Sequence, residues 1–278
     1  MSGQSDNQAI PSRLGVIGTG VMGRALLAGC LQAGVVAPGN VIVYDADAEV
    51  LARVRTDLGV AAADSNLQVI SSADAVLVAV KPQQLAAALE PLRDAWRPDT
   101  LLISVVAGVS IERLQALTRP GLPVARVMPN LLCVVRAGAS GVAFSAQVSE
   151  AQRRYTLGLL EAVGIAVPVE EGLLDAVTGL SGSGPAFVAL VVEALADGGV
   201  AAGLPRQQAL TLAAQTVMGT GKYVLERGEH PGQLKDRVAS PSGTTIAGLK
   251  ALEAGGLRAA LMEAVLRAAE RSRQLGQS

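Results

Sequence analysis

The sequence predicts an α/β fold: a doubly wound, mostly parallel sheet over the front of the chain, with an all-helical part behind it. Three features carry this. Up to about residue 170, short and continuously apolar runs alternate with helix-patterned stretches, which is how strands buried on both faces read. The first run passes directly into a G-x-G-x-x-G turn and then a helix. From about residue 172 the strand signals stop and long helical patterns take over.

Taken in order, "RLGVI" (13–17) is the first strand, followed by "GTGVMG", a helix over 21–33, and Gly34 where a left-handed C-cap is wanted. "VIVYDAD" (41–47) is the second strand and leads into a helix near 47–58. Further strands are expected at 75–80, 100–106, 124–128, 141–145 and 165–169, with helices at 84–95, 110–117 and 149–163 between several of them.

Gly18, Gly20 and Gly23 give the spacing of a Rossmann-type dinucleotide site. The first glycine permits a tight turn, the second lets the backbone meet a pyrophosphate, and the third lets the helix lie close on the strand. Thr19, Val21 and Met22 complete the turn, whose free amides and helix dipole receive the phosphates. Asp45 ends the second strand, where a carboxylate accepts from the ribose hydroxyls of NAD and repels a 2′-phosphate. It fits a solvated turn or helix cap as well. After the third strand come Val80, Lys81 and Pro82, with Lys81 facing either the cofactor or solvent. Met128, Pro129 and Asn130 stand at the analogous place after a later strand, as a candidate wall of the nicotinamide pocket.

The back part opens with a helix start, a Ser/Gly break at 181–184 and a long helix with Pro185 in its first turn. Helices follow at 205–228, 244–256 and 257–276. With so few large aromatics, this part has little from which to build a private core, so its apolar faces are expected to bury against another subunit. Glu193 and Asp197, four apart on one helix face, read as a polar stripe on such an interface helix rather than a catalytic pair. In the stretch 230–249, "SPSGTT" gathers Ser240, Ser242, Thr244 and Thr245 around Pro241 and Gly243 just before a helix. Hydroxyls beside free helix amides suit a small carboxylate, and equally suit a well-capped helix. His230, before Pro-Gly, reads as a helix-stop residue without a nucleophile partner.

Composition narrows the function. Among 278 residues, 23 basic and 24 acidic side chains leave no electrostatic footprint for nucleic acid or an anionic membrane surface. The polar start has no apolar signal region, and Glu193 and Asp197 interrupt the most apolar stretch, so no membrane span and a cytoplasmic location are expected. Cys30 and Cys133 form no C-x-x-C and His230 is the only histidine, so neither a disulfide framework nor a metal site is expected.

From residue 13 onward the chain resembles the pyrroline-5-carboxylate reductases of proline biosynthesis. The resemblance lies in "LSGSGPAF" (180–187), "EALADGGVAAGLPR" (193–206) and "EHPGQLKDRVASPSGTT" (229–245), with "AVKPQ" and "MPN" less specific. It implies an oxidoreductase that transfers hydride from NADH or NADPH to the protonated cyclic imine of (S)-1-pyrroline-5-carboxylate, giving L-proline. It further implies that residues 13–171 form the dinucleotide-binding Rossmann domain behind a flexible N-terminus at 1–12. Residues 172–278 then form a helical substrate-binding domain that dimerises, in the family often into a decamer of five dimers.

Residue by residue, Ser240, Gly243, Thr244 and Thr245 are implied to hold the substrate, with the Thr245 hydroxyl assisting at the ring nitrogen. Asn66, Lys81, Ala107 and Gly108 are implied to lie beside the cofactor. Two departures stand out: Leu131-Leu132 where the family has Thr-Pro, and Ser242-Gly243 where it has Gly-Gly. A reductase of a related imine or β-hydroxyacid and a non-catalytic nucleotide-sensing homologue are the rival readings.

Overall fold

The structure, a computed structural model, describes residues 10–276. Most of the N-terminus expected to be flexible, residues 1–9 of 1–12, lies outside them. Within the described part, Pro11 is buried, and Ser12 donates to Asp74 through its amide (3.1 Å) and hydroxyl (2.8 Å).

The front half alternates as its apolar pattern demands. In chain order it comprises β1 (Leu14–Ile17), α1 (Val21–Gln32), β2 (Val41–Tyr44), α2 (Ala48–Leu58), β3 (Ala61–Ala62), α3 (Asn66–Ser72), β4 (Ala75–Val78) and α4 (Pro82–Leu89). Then follow β5 (Leu101–Ser104), α5 (Ile111–Leu117), β6 (Val124–Met128), β7 (Gly138–Phe144), α6 (Glu150–Glu161), β8 (Gly164–Pro168) and α7 (Leu174–Val177). The eight strands make one sheet in the order β3-β2-β1-β4-β5-β6-β7-β8. All neighbours are parallel except β6 and β7. Side chains alternate across it, so Ala75 and Leu77 of β4 enter one core while Val76 and Val78 enter the other. Both faces are therefore dry at the centre of the sheet, where every residue of β1, β4 and β5 is buried, while β8 at its edge exposes Ile165 and Val167.

Chain punctuation follows local chemistry. Gly34, at φ +70, closes α1, with Val35 N donating to Cys30 O and Gly34 N to Leu31 O. Asp47 caps α2 by accepting from the amides of Glu49 and Val50.

The back part holds α8 (Gly184–Ala201), α9 (Arg206–Arg227), α10 (Pro231–Val238), α11 (Thr244–Ala254) and α12 (Leu257–Gly276). The expected Ser/Gly break is instead a wide π-type turn, Thr178–Gly182, between α7 and α8. Here Gly141 of β7 leaves room for Val177, and Gly182 for the Met128 methyl. The described chain divides into two compact units, one reaching to Gly182 and resuming at Ala268, the other Ser183–Arg267.

In the second unit α8 and α9 form a hairpin whose buried core is Ala196, Ala209 and Ala213, with Val192 and Val200 at its margin. A methyl on Gly199 would stand 3.1 Å from the Ala209 methyl, so the helices meet almost backbone to backbone. Asp197 pairs with Arg206 at 2.5 Å across the hairpin's turn, and Glu193 is exposed. One residue and three elements correct the sequence reading. His230 starts a helix rather than stopping one: its Nδ1 accepts from Gly232 N at 3.1 Å, and Pro231 occupies the first turn of α10, where a missing N–H is harmless. That helix, α10, occupies part of the stretch 230–249, in which no helix is expected before residue 244, and β3 and α3 fill a stretch without a clear periodic signal.

Candidate active site

A cleft of ≈ 680 Å³ opens at the carboxyl edge of the sheet, beyond β1, β2 and β4. Strand order reverses direction at β1, with β2 on one side and β4 on the other. Open α/β sheets receive ligands at such a crevice.

Each glycine of the turn has a steric reason. Gly18 sits at φ +87, and a side-chain carbon there would stand 2.8 Å from the Ala79 carbonyl oxygen. One on Gly23 would strike the Gly18 carbonyl, so α1 could not lie where it does. Gly20 has nothing within 4 Å of that position and lines the cleft, leaving its backbone approachable. No side chain caps α1 and no acidic residue occupies its first turn. The helix thus presents amide donors and the positive end of its dipole to whatever enters.

Asp45 lines the cleft and braces the turn. Its Oδ2 accepts from the Thr19 amide (2.7 Å) and hydroxyl (3.1 Å), and its Oδ1 from the Asp47 amide (3.0 Å). Asp47, not Asp45, caps α2. A carboxylate has about four lone-pair sites, so one remains for a ribose hydroxyl. Asn66 opens α3; its Nδ2 donates to Ala88 O at 3.2 Å, while its buried Oδ1 has no partner. A buried acceptor without a donor is costly, and Asn66 lines the same cleft, so a ligand N–H or O–H is well suited to it. The open backbone at Gly20, the uncapped helix and this acceptor all fit a dinucleotide.

The structure gathers Gly18, Gly20, Asp45, Asn66, Val80 and Lys81 around one cleft. Thr19, Gly23 and Pro82 build its frame: Thr19 is buried beneath Asp45, and Pro82 starts α4. Val21 is exposed at the start of α1, and Met22 packs on the core. Ala107 and Gly108 follow β5, and Met128, Pro129 and Asn130 come at the end of β6, along the same carboxyl edge. The Asn130 amide is spent internally, donating to Ser181 O at 3.0 Å and accepting from the amides of Leu132 and Ala139, each at 3.2 Å. Tyr44, Asp47 and Gln84 also line the cleft and escaped the sequence reading. The strand end and the helix cap were the signals available for them.

In the second unit α11 begins at Thr244 with Gly243 as its N-cap, and no side chain caps it. The reading of "SPSGTT" as a side-chain-capped helix therefore fails. Thr244 and Thr245 form the start of the helix, and Gly243 N donates to Ser240 O at 3.1 Å. A side chain on Gly243 would strike the Ser240 hydroxyl. Ser242 takes φ +56, a left-handed conformation that costs a non-glycine residue energy. Upstream, Glu229 is held by Arg237 and by the Tyr223 hydroxyl (3.1 Å), joining the ends of α9 and α10. Burial pushes the Cys30 thiol up to about 12 and raises Cys133 as well, leaving both as neutral packing groups. Among the described residues no cluster of three or more His, Cys, Asp or Glu could hold a metal.

Residues 171–275 match the family model for pyrroline-5-carboxylate reductase dimerisation, and residues 13–108 match that of NADP oxidoreductase, coenzyme F420-dependent. The chain is 46% identical to a pyrroline-5-carboxylate reductase of Methanosarcina acetivorans, over 95% of this chain and 98% of that one. The chain belongs to the pyrroline-5-carboxylate reductase family.

The Escherichia coli reductase is 39% identical over 96% of this chain and 99% of its own. A solved reductase structure from Coxiella burnetii superposes with a TM-score of 0.91 at 33% identity, covering 95% of this chain and 98% of that one. The Plasmodium falciparum enzyme, solved with NADP bound, gives 0.83 at 30% identity, covering 95% and 98%. Pyrroline-5-carboxylate reductases are NAD(P)-dependent oxidoreductases of proline biosynthesis, and the helical part of this chain carries the family's dimerisation domain. That accounts for Glu171–Ala201, the one run among the described residues long and apolar enough to cross a membrane, whose most apolar stretch is almost wholly unburied within the chain.

Proposed function

We propose that this reductase holds its dinucleotide on the Gly18–Gly23 turn and the carboxylate of pyrroline-5-carboxylate on the amides that open α11. The residue assignment rests on one observation: α11 starts on a glycine with no side-chain cap while Ser240, Thr244 and Thr245 supply hydroxyls around it. Gly243 lets the chain turn tightly against Ser240, and the first-turn amides receive the acid. The nicotinamide, when bound, supplies hydride to the C=N carbon. Thr245 hydrogen-bonds the ring nitrogen and keeps the imine oriented; a substrate that arrives protonated needs little more than proximity and orientation. His230 takes no part; its Nδ1 accepts from the Gly232 amide and caps α10.

Asp45 favours NADH by accepting from the ribose and repelling a 2′-phosphate, an effect that Asp47 at the same cleft reinforces. Residues 13–171 act as the cofactor domain, and residues 172–278 as the substrate-binding and dimerisation domain. The apolar helices of the latter join two copies, with five such dimers forming a decamer, and the enzyme works in the cytoplasm.

Oxidation of NADH or NADPH with pyrroline-5-carboxylate, followed at the nicotinamide absorbance, tests the reaction and ranks the cofactors. Thr245→Ala should lower kcat by about 10²-fold with cofactor affinity nearly intact; unchanged kinetics would remove Thr245 from the site. Asp45→Ser should shift the ratio of kcat/KM values about tenfold towards NADPH, and an unmoved ratio would show that the carboxylate does not face the ribose.

A further inference from the structure

We propose that the last turn of α12 is a latch on the loop between β5 and α5, and that Asp175, Ser272 and Gly276 are positioning residues for the nicotinamide half of the cofactor. The proposal rests on the dinucleotide reading above. With the pyrophosphate on α1 and the adenosine ribose at Asp45 beyond β2, the other half of the molecule must run the opposite way, over the carboxyl ends of β4 and β5. The loop waiting there, residues 105–110, turns at Gly108 with φ +75 and exposes Ala107 and Gly108.

Two contacts fasten this loop, and a third anchors the helix end that makes one of them. At its far end the Ile111 amide donates to Glu171 Oε1 at 2.7 Å, and the same oxygen accepts from Arg126 at 2.9 Å. One helical turn beyond Glu171, Asp175 Oδ1 accepts from the Ser272 hydroxyl at 2.6 Å, tying down the end of α12. Gly276 then rests on the loop's tip: a methyl on Gly276 would stand 3.4 Å from the Gly108 carbonyl oxygen, and one on Gly108 3.8 Å from Gly276 Cα. Two glycines face each other where a branched side chain would wedge the loop away. The short segment after β8 thus holds the loop directly through Glu171, and through Asp175 holds the helix end that covers it. Hydride transfer needs such support, because a displacement of about 1 Å can cost about 10²-fold in rate.

The test measures binding of NADH and of ADP-ribose, which keeps the adenosine and pyrophosphate but lacks the nicotinamide, to the full-length protein by calorimetry. Wild-type protein that failed to bind ADP-ribose would sink the dinucleotide reading itself, independently of the latch. Given that binding, Ser272→Ala should weaken NADH about threefold and Gly276→Val about tenfold, with ADP-ribose held within about twofold. Asp175→Ala combined with Ser272→Ala should be no worse than the stronger single change, since both remove one bond. NADH affinity unchanged in either single variant overturns the proposal. So does an equal loss of both ligands, which would mark a general loosening of the sheet rather than control of one loop.

Discussion

The two units spend their apolar residues in opposite ways. In the sheet unit, Leu102, Ile103, Val76, Leu89 and Trp96 are sealed on both sides of the strands. In the helical unit the buried cluster is three alanines, while Leu190, Leu212, Met218, Leu225, Met262 and Leu266 stand exposed. The first unit completes its core from its own chain. The second has put its large side chains on the outside, where only another protein surface can cover them. Small residues let α8 and α9 approach closely, but they bury little area, so the stability of this unit is inseparable from assembly.

The sharpest way to break this contrast is to charge the outer face of the helices. Leu212→Glu with Leu266→Glu should cost about 4 kcal/mol or more of association free energy by leaving carboxylates unpaired in an interface. Sedimentation should show smaller species, and melting should become strongly dependent on concentration. A chain that stayed assembled would mean these leucines face solvent. Next in size, Leu102→Ala in the sheet should cost about 3 kcal/mol through the cavity it leaves, and calorimetry should find the same loss at every protein concentration. The smallest effect concerns the turn before α11. Ser242→Gly relieves a left-handed serine and should raise stability by at most about 1 kcal/mol, with a small rise in Tm and no change in subunit number.

Much of the sheet unit was legible in the sequence because its signals are local. A strand buried on both faces is a continuous apolar run, and a glycine forced to φ +87 cannot be replaced without strain. The uncapped start of α11 was half legible: its hydroxyls were visible, but whether one of them caps the helix depends on backbone angles that composition does not encode. What escaped depends on distant pairing. The two-residue strand β3 exists because Ile42 and Val43 of β2 give it a partner. The bracing of Thr19 by Asp45 joins residues 26 apart in sequence. His230 reads as a helix stop in the sequence because a proline after a histidine ends one helix and opens another equally well, and only the fold decides which.

The wide turn at Thr178–Gly182 carries one residue more per revolution than the helices on either side of it. Each residue turns an α-helix by about 100°, so this single extra position sets which side chains of the helix share a face. Excising one amino acid here would restore a regular spiral and swing Glu193, Asp197 and the leucines of α8 round the axis together. The length of this stretch therefore matters alongside the one small residue, Gly182, that makes room for the Met128 methyl.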